Sequence, residues 1–116
     1  MTLQEREARA CAIIDSMAQE LRAVSLYLHD NPELGLNEHK AVKAIHQFLE
    51  KQNFISQVGL ADIRELQTAL RADYRGNAKY KIAFLGEYDA LPELGHGCGH
   101  NLIAMMSLGA AVAFSQ

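Results

Sequence analysis

The run Tyr80-Lys81-Ile82-Ala83-Phe84-Leu85-Gly86 opens into Glu87-Tyr88-Asp89-Ala90-Leu91-Pro92 and then into His96-Gly97-Cys98-Gly99-His100-Asn101. A short apolar run bounded by glycine reads as a strand, and the lack of alternation after Lys81 predicts burial on both faces, as in a sheet sandwiched between helices. Past the strand, the two quoted strings of a glycine-rich loop carry two carboxylates, one thiol and two imidazoles. Glycines let the backbone turn tightly enough to aim such groups inward, and all of them can lend lone pairs to a divalent ion. The stretch reads as half of a metal site at the end of a strand.

Upstream of the run, Thr68, Leu70, Ala72 and Tyr74 alternate with Ala69, Arg71, Asp73 and Arg75, and Gly76-Asn77 supplies a turn. This predicts a hairpin between residues 68–75 and 80–85. Residues 54–66 show no dominant period; a strand from Phe54 to Val58 and a helical turn around Asp62 to Leu66 are expected.

Nearer the start, Ile14, Met17, Leu21, Val24 and Leu28 recur at spacings of three and four, which predicts one amphipathic helix over residues 3–29. Pro32 ends it, because the residue before a proline is pushed out of the helical region. A second helix is expected with Asn37 as N-cap and Glu38 in its first turn, running to about Asn53 with Ala41, Val42, Ile45, Phe48 and Leu49 on one face. The last residues, from Asn101 to Gln116, form an apolar closing helix for which Asn101 is the expected cap. Helices, a sheet and a closing helix give an α/β layered architecture in one unit over residues 1–116.

Cys98 and His100 flank a glycine, and in an extended loop that spacing sends both side chains to the same side. A thiolate and an imidazole suit zinc or a similar first-row ion better than oxygen-preferring ions. His96 offers a third donor, but three ligands from one loop leave little room for water and substrate, so a supporting or substrate-facing place is expected for it. A thiol–imidazole hydrolase built on Cys98 is disfavoured, because such enzymes bring the histidine from elsewhere in the fold. His29 and Glu33 are read as structural, His39 and His46 as surface or boundary residues, and Cys11 as a small core residue.

The whole string resembles the aminoacylase, glutamate-carboxypeptidase and aminobenzoyl-glutamate-hydrolase family of dinuclear-metal peptidases and amidohydrolases. The likeness is closest to the dipeptidase-like branch with E-Y-D-A-L-P followed by G-H-x-C-G-H-N. It extends to His29-Asp30-Asn31-Pro32-Glu33-Leu34-Gly35 with Glu38, and to Thr68-Ala69-Leu70-Arg71-Ala72, and so covers nearly all of the chain. The resemblance implies a zinc-peptidase-like catalytic domain with helices packed on a mixed sheet, and divalent ions, zinc or manganese, held in part by Cys98 and His100. It also implies an orienting place for Asp89. Glu87 stands where other members have a ligand histidine, and is a possible ligand or hydrogen-bond acceptor.

In that family the general base, the remaining ligands and a lid domain lie downstream of the C-G-H motif, so the chain is expected to be the N-terminal part of such a domain, without the lid. The reaction implied is cleavage of the amide bond of N-acyl amino acids or small dipeptides. A chain carrying only this part is expected to be inactive alone. The alternatives are a two-polypeptide enzyme completed by a partner chain, or a non-enzymatic metal-binding or assembly module.

Composition narrows the classes further. A formal net charge of -3 with mixed signs provides no basic stripe for a nucleic acid backbone. The start of the chain is charged rather than apolar, so no signal peptide is read and the cytoplasm is expected. Two cysteines make no disulfide framework. The final uncharged run is short of the roughly twenty residues needed to span a bilayer. Its apolar residues on every face predict burial against a neighbour, in a homo-oligomer or against a partner chain.

Overall fold

The computed structural model describes residues 1–60 and 63–116. Among them the chain is mixed α/β, as expected, with four α-helices and a two-stranded antiparallel sheet. The helix expected over residues 3–29 is two helices, α1 (Leu3–Ser16) and α2 (Ala18–Asp30), separated at Met17. Thr2 and Glu5 form a capping box that starts α1, each side chain taking the other's backbone N–H. The break has a packing reason. An unbroken helix of that length would run about 40 Å, whereas the helix that both halves pack against, α4 (His100–Ser115), is about 24 Å long. Bending at the buried Met17 lets α1 and α2 each lean on α4.

The core forms where α2, α3 (His39–Lys51) and α4 meet. Leu28 and Val112 are its most enclosed side chains, at 1% and 0% exposure, and Ile45, Phe48, Leu49 and Leu108 belong to the same cluster. Leu28, Ile45, Phe48 and Leu49 are apolar positions of the expected 3.6-residue patterns, and Leu108 and Val112 come from the helix expected to be apolar on every face. Cys11 is not among them: it lies exposed on α1, a helix with no buried residue, because only Ile13 and Ile14 of that helix reach the core's edge.

Asn37 does not cap α3. The helix starts later, and its free N–H groups are taken by Glu33, whose carboxylate accepts from Lys40 N at 2.8 Å and Ala41 N at 2.9 Å. A glutamate reaches across the turn that a short asparagine at the helix edge cannot span. Glu33 therefore has the structural place read for it. Glu33→Ala is expected to cost about 1 kcal/mol, the usual worth of a helix cap, measured as a shift in urea midpoint at constant slope.

Strand β1 (Ile55–Val58) appears where a strand is expected, and its partner is β2 (Leu70–Asp73), in the register Ile55 to Asp73 and Val58 to Leu70. The expected hairpin between residues 68–75 and 80–85 is thus overturned. A 3-10 turn, Arg64–Leu66, matches the later part of the expected helical turn; Asp62 lies outside the described residues. His46 is a boundary residue, as expected: half-buried on α3, it bonds through Nδ1 to Ser56 Oγ of β1, with Nε2 3.4 Å from Glu50.

The apolar run 80–85 forms no strand and is not buried on both faces; Tyr80 is 74%, Ile82 59% and Leu85 87% exposed. Strand-like apolarity specifies that a segment wants burial, but a strand needs a neighbour for its N–H and C=O groups. No strand among the described residues lies beside this run. It is fastened to the outside of α4 instead: Ser107 Oγ donates to the Leu85 carbonyl, and the Phe84 and Phe114 rings meet edge-on at 5.9 Å. Gly86 permits the approach. A Cβ there would lie 3.2 Å from Ser107 Cβ and Oγ and 3.4 Å from Ala104 Cα. Gly86→Ala is expected to cost about 1–3 kcal/mol by overpacking, read by thermal melting; Gly76, with nothing within 4 Å of an added Cβ, is the neutral control.

Candidate metal site

Two segments far apart in sequence meet here. The Ala90 N–H donates to the Glu33 carbonyl at 2.7 Å, making a parallel bridge between Leu34 and Ala90. Leu91 and Gly95 then exchange backbone hydrogen bonds at 2.8 and 3.1 Å, closing a tight loop over Pro92–Leu94. The loop 87–95 is thereby pinned against the turn that precedes α3.

The stretch 96–100 is a turn rather than an extended loop. The Gly99 N–H donates to the His96 carbonyl at 3.0 Å, and Gly99 has φ of 79°, a left-handed conformation that a glycine adopts freely. His100 is the first residue of α4, while Cys98 stays exposed on the turn before it. The alternation argued for Cys98 and His100 needs extended backbone and so does not describe this turn. Asn101, expected as the cap, lies inside the first turn. It is buried and its Nδ2 donates to Ser25 of α2, at 3.1 Å to Oγ and 3.3 Å to the carbonyl. Starting one residue earlier turns this amide inward, away from the free N–H groups at the helix end.

His100 gathers the two carboxylates singled out in the sequence. Its Nδ1 lies 2.8 Å from Asp89 Oδ1 and 3.1 Å from the Asp89 carbonyl oxygen. A backbone carbonyl can only accept, so Nδ1 carries a proton, and whenever the ring is neutral Nε2 presents a lone pair. Nε2 faces Glu87 Oε2 at 3.2 Å. Two lone pairs at that separation repel unless a proton or a cation lies between them. Two ligand atoms held about 2.0–2.1 Å from one tetrahedral ion sit about 3.3 Å apart, and a carboxylate behind the far ring nitrogen is the usual support of a metal-bound histidine. The donors therefore fit a zinc-like ion, although among the described residues no three His, Cys, Asp or Glu side chains converge to hold one by themselves.

His96 lies just behind, 9% exposed, and its Nδ1 bonds to no protein atom among the described residues. Burial holds its ring below the usual imidazole range, and the neighbouring His100 and His29 push the same way, against the opposing charge of Asp89. His96 is thus a neutral, enclosed imidazole beside the candidate site. His29 is largely exposed and touches only its neighbour Asp30 among the pairs formed here, at 3.2 Å.

No family model matches the chain. Individual proteins do. It is 38% identical over 116 residues to the Xaa-Arg dipeptidase of Mus musculus, covering 95% of this chain and 27% of that protein. It is 30% identical over 120 residues to one of the subunits of p-aminobenzoyl-glutamate hydrolase from Escherichia coli, covering 89% and 24%. A third relative, N-acetyldiaminopimelate deacetylase of Oenococcus oeni, is 32% identical over 116 residues, 84% and 29%. The chain belongs to the aminoacylase and aminobenzoyl-glutamate-hydrolase family. It corresponds to the N-terminal part of this family's members and spans about a quarter of the length of the curated relatives it matches. Amidohydrolases of this family are in general metal-dependent, in keeping with the donor chemistry around His100.

Three residues that the sequence alone does not mark are Ser25, which holds Asn101, and Thr68 and Tyr88, joined by a bond from the Tyr88 hydroxyl to the Thr68 carbonyl. Tyr88 and Thr68 stand inside the family-like strings, which is the available signal; Ser25 gives none, because a serine among helical apolar positions announces no partner.

Proposed function

We propose that the chain supplies the N-terminal portion of the catalytic domain of a metal-dependent amidohydrolase, cleaving the amide bond of N-acyl amino acids or small dipeptides once completed. The observation that carries this reading is His100 held between Asp89 and Glu87, with Nδ1 protonated and Nε2 turned toward a second anionic donor. Cys98 and His100 are the proposed ligands of a zinc or manganese ion, with Glu87 as a further donor, and Asp89 and His96 in support. The ion, when bound, supplies Lewis acidity toward an amide carbonyl.

The chain's own residues do the positioning. Asp89 fixes the His100 tautomer and makes its free nitrogen more basic. Glu87 brings negative charge to the same nitrogen. The general base is not assigned to any residue here. Zinc binding by the chain should be compared with Cys98→Ser and His100→Ala by competition with a chromophoric chelator. At least tenfold weaker binding is expected for each; equal binding by all three proteins sinks the assignment.

A two-polypeptide enzyme is the second reading, favoured by one observation on surfaces. Leu102, Met106 and Phe114 of α4 are 59%, 72% and 63% exposed, and the apolar run 80–85 lies beside them. Apolar area of that kind marks a surface that another chain or another segment covers. The isolated chain is expected to self-associate or to bind an apolar dye, and a dye-silent, monodisperse monomer by light scattering over a wide concentration range overturns this.

A further inference from the structure

The loop that holds His100 is anchored through a buried polar contact whose centre is Thr68. Thr68 is 3% exposed, and its hydroxyl donates to Glu38 Oε2 while its carbonyl accepts the hydroxyl proton of Tyr88. Glu38 is itself buried, and its Oε1 accepts the Leu36 N–H at 3.0 Å. No lysine, arginine or histidine pairs with Glu38 among the described residues. A buried carboxylate without a counter-charge is costly and is tolerated when donors satisfy it in a fixed geometry. Tyr88, its ring against the core, precedes Asp89 directly in sequence. Burial, with the charge of Glu38 adding to it, pushes the Tyr88 phenol up to about 12, so it remains a donor at neutral pH.

Gly35 closes the arrangement from the other side. A Cβ on Gly35 would lie 3.8 Å from Asp89 Oδ2 and 4.0 Å from Glu38 Oε1, so the turn before α3 passes between the two carboxylates. Asp89 is thus flanked by two anchors, the backbone of the next residue on Glu33 and the side chain of the preceding residue on Thr68, with its far oxygen facing the side of Gly35 that carries no side chain.

We propose that Glu38, Thr68 and Tyr88 are positioning residues: together they fix the direction of the Asp89 carboxylate and, through it, which nitrogen of His100 carries the proton. The importance of that tautomer for metal binding rests on the function proposed above; the control of the tautomer does not. The relay joins all three strings that the sequence singles out, Glu38 from the first, Thr68 from the second and Tyr88 from the third, in one hydrogen-bonded line.

The test reads the His100 ring directly in the metal-free chain, by nitrogen NMR of histidine-labelled protein at a pH where the ring is neutral. The unaltered protein is expected to show mainly the Nδ1-protonated form. Tyr88→Phe, which keeps the ring in the core, and Glu38→Gln are expected to shift the population several-fold toward the Nε2-protonated form and to weaken zinc about tenfold. Thr68→Ser, which keeps the hydroxyl, is expected to match the unaltered protein, and Thr68→Val to behave like Glu38→Gln. An unchanged tautomer in Tyr88→Phe and Thr68→Val, with only the melting temperature lowered, overturns the proposal and leaves these contacts as ordinary packing. A shifted tautomer together with zinc binding indifferent to His100→Ala upholds the relay and overturns the metal role of His100.

Discussion

Purified alone, the 116-residue chain is expected to hydrolyse N-acyl amino acids and dipeptides no faster than buffer does, with or without zinc or manganese. Among the described residues no three metal-binding side chains converge, and the chain spans 27% of the mouse dipeptidase it resembles. In the family reading the general base lies in the sequence beyond this portion. A positioned base contributes roughly a hundred- to ten-thousand-fold to proton-transfer steps, and an incomplete ion site forfeits transition-state charge stabilisation as well. A polypeptide supplying the rest of the catalytic domain is expected to restore turnover, and His100→Ala in the restored complex to remove it. Metal-dependent amide hydrolysis by the chain alone, lost in His100→Ala, would show that these residues suffice.

The second large effect is on folding. Leu28→Ala is expected to cost about 2–5 kcal/mol, because a leucine at 1% exposure leaves a cavity that three packed helices cannot collapse around. A domain of this size has only about 5–15 kcal/mol in total, and the exposed apolar face of α4 contributes little to it. A cooperative melt shifted down by roughly 10 °C or more is therefore expected. Leu26, on the same helix but 50% exposed, is the control, and Leu26→Ala is expected to stay within about 0.5 kcal/mol. Equal losses from the two would show that the α2–α4 contact does not form the core.

Local spacing carries much of the fold. The three- and four-residue recurrence from Ile14 to Leu28 and from Ala41 to Leu49 marks the buried faces, and Leu28, Ile45 and Phe48 are indeed core. Periodicity reports which side of a segment must leave water, because that depends only on side-chain chemistry and the pitch of the backbone. It is blind to the break at Met17, since the apolar spacing from Ile14 to Leu28 runs through it unchanged; in the tertiary structure both halves pack against α4.

The site is legible to a similar depth. The sequence by itself named the donors, His100, Asp89, Glu87, Cys98 and His96, because lone pairs and charge belong to residue types. Only the tertiary structure decided which of them touch. It put Asp89 and Glu87 on opposite nitrogens of His100, left Cys98 on an exposed turn, and turned Asn101 inward to Ser25. It also paired Leu70–Asp73 with Ile55–Val58 instead of the more apolar run 80–85. Strand pairing and hydrogen-bond partners are fixed by what lies alongside in space, and a segment's own residues specify the demand for a neighbour without specifying the neighbour.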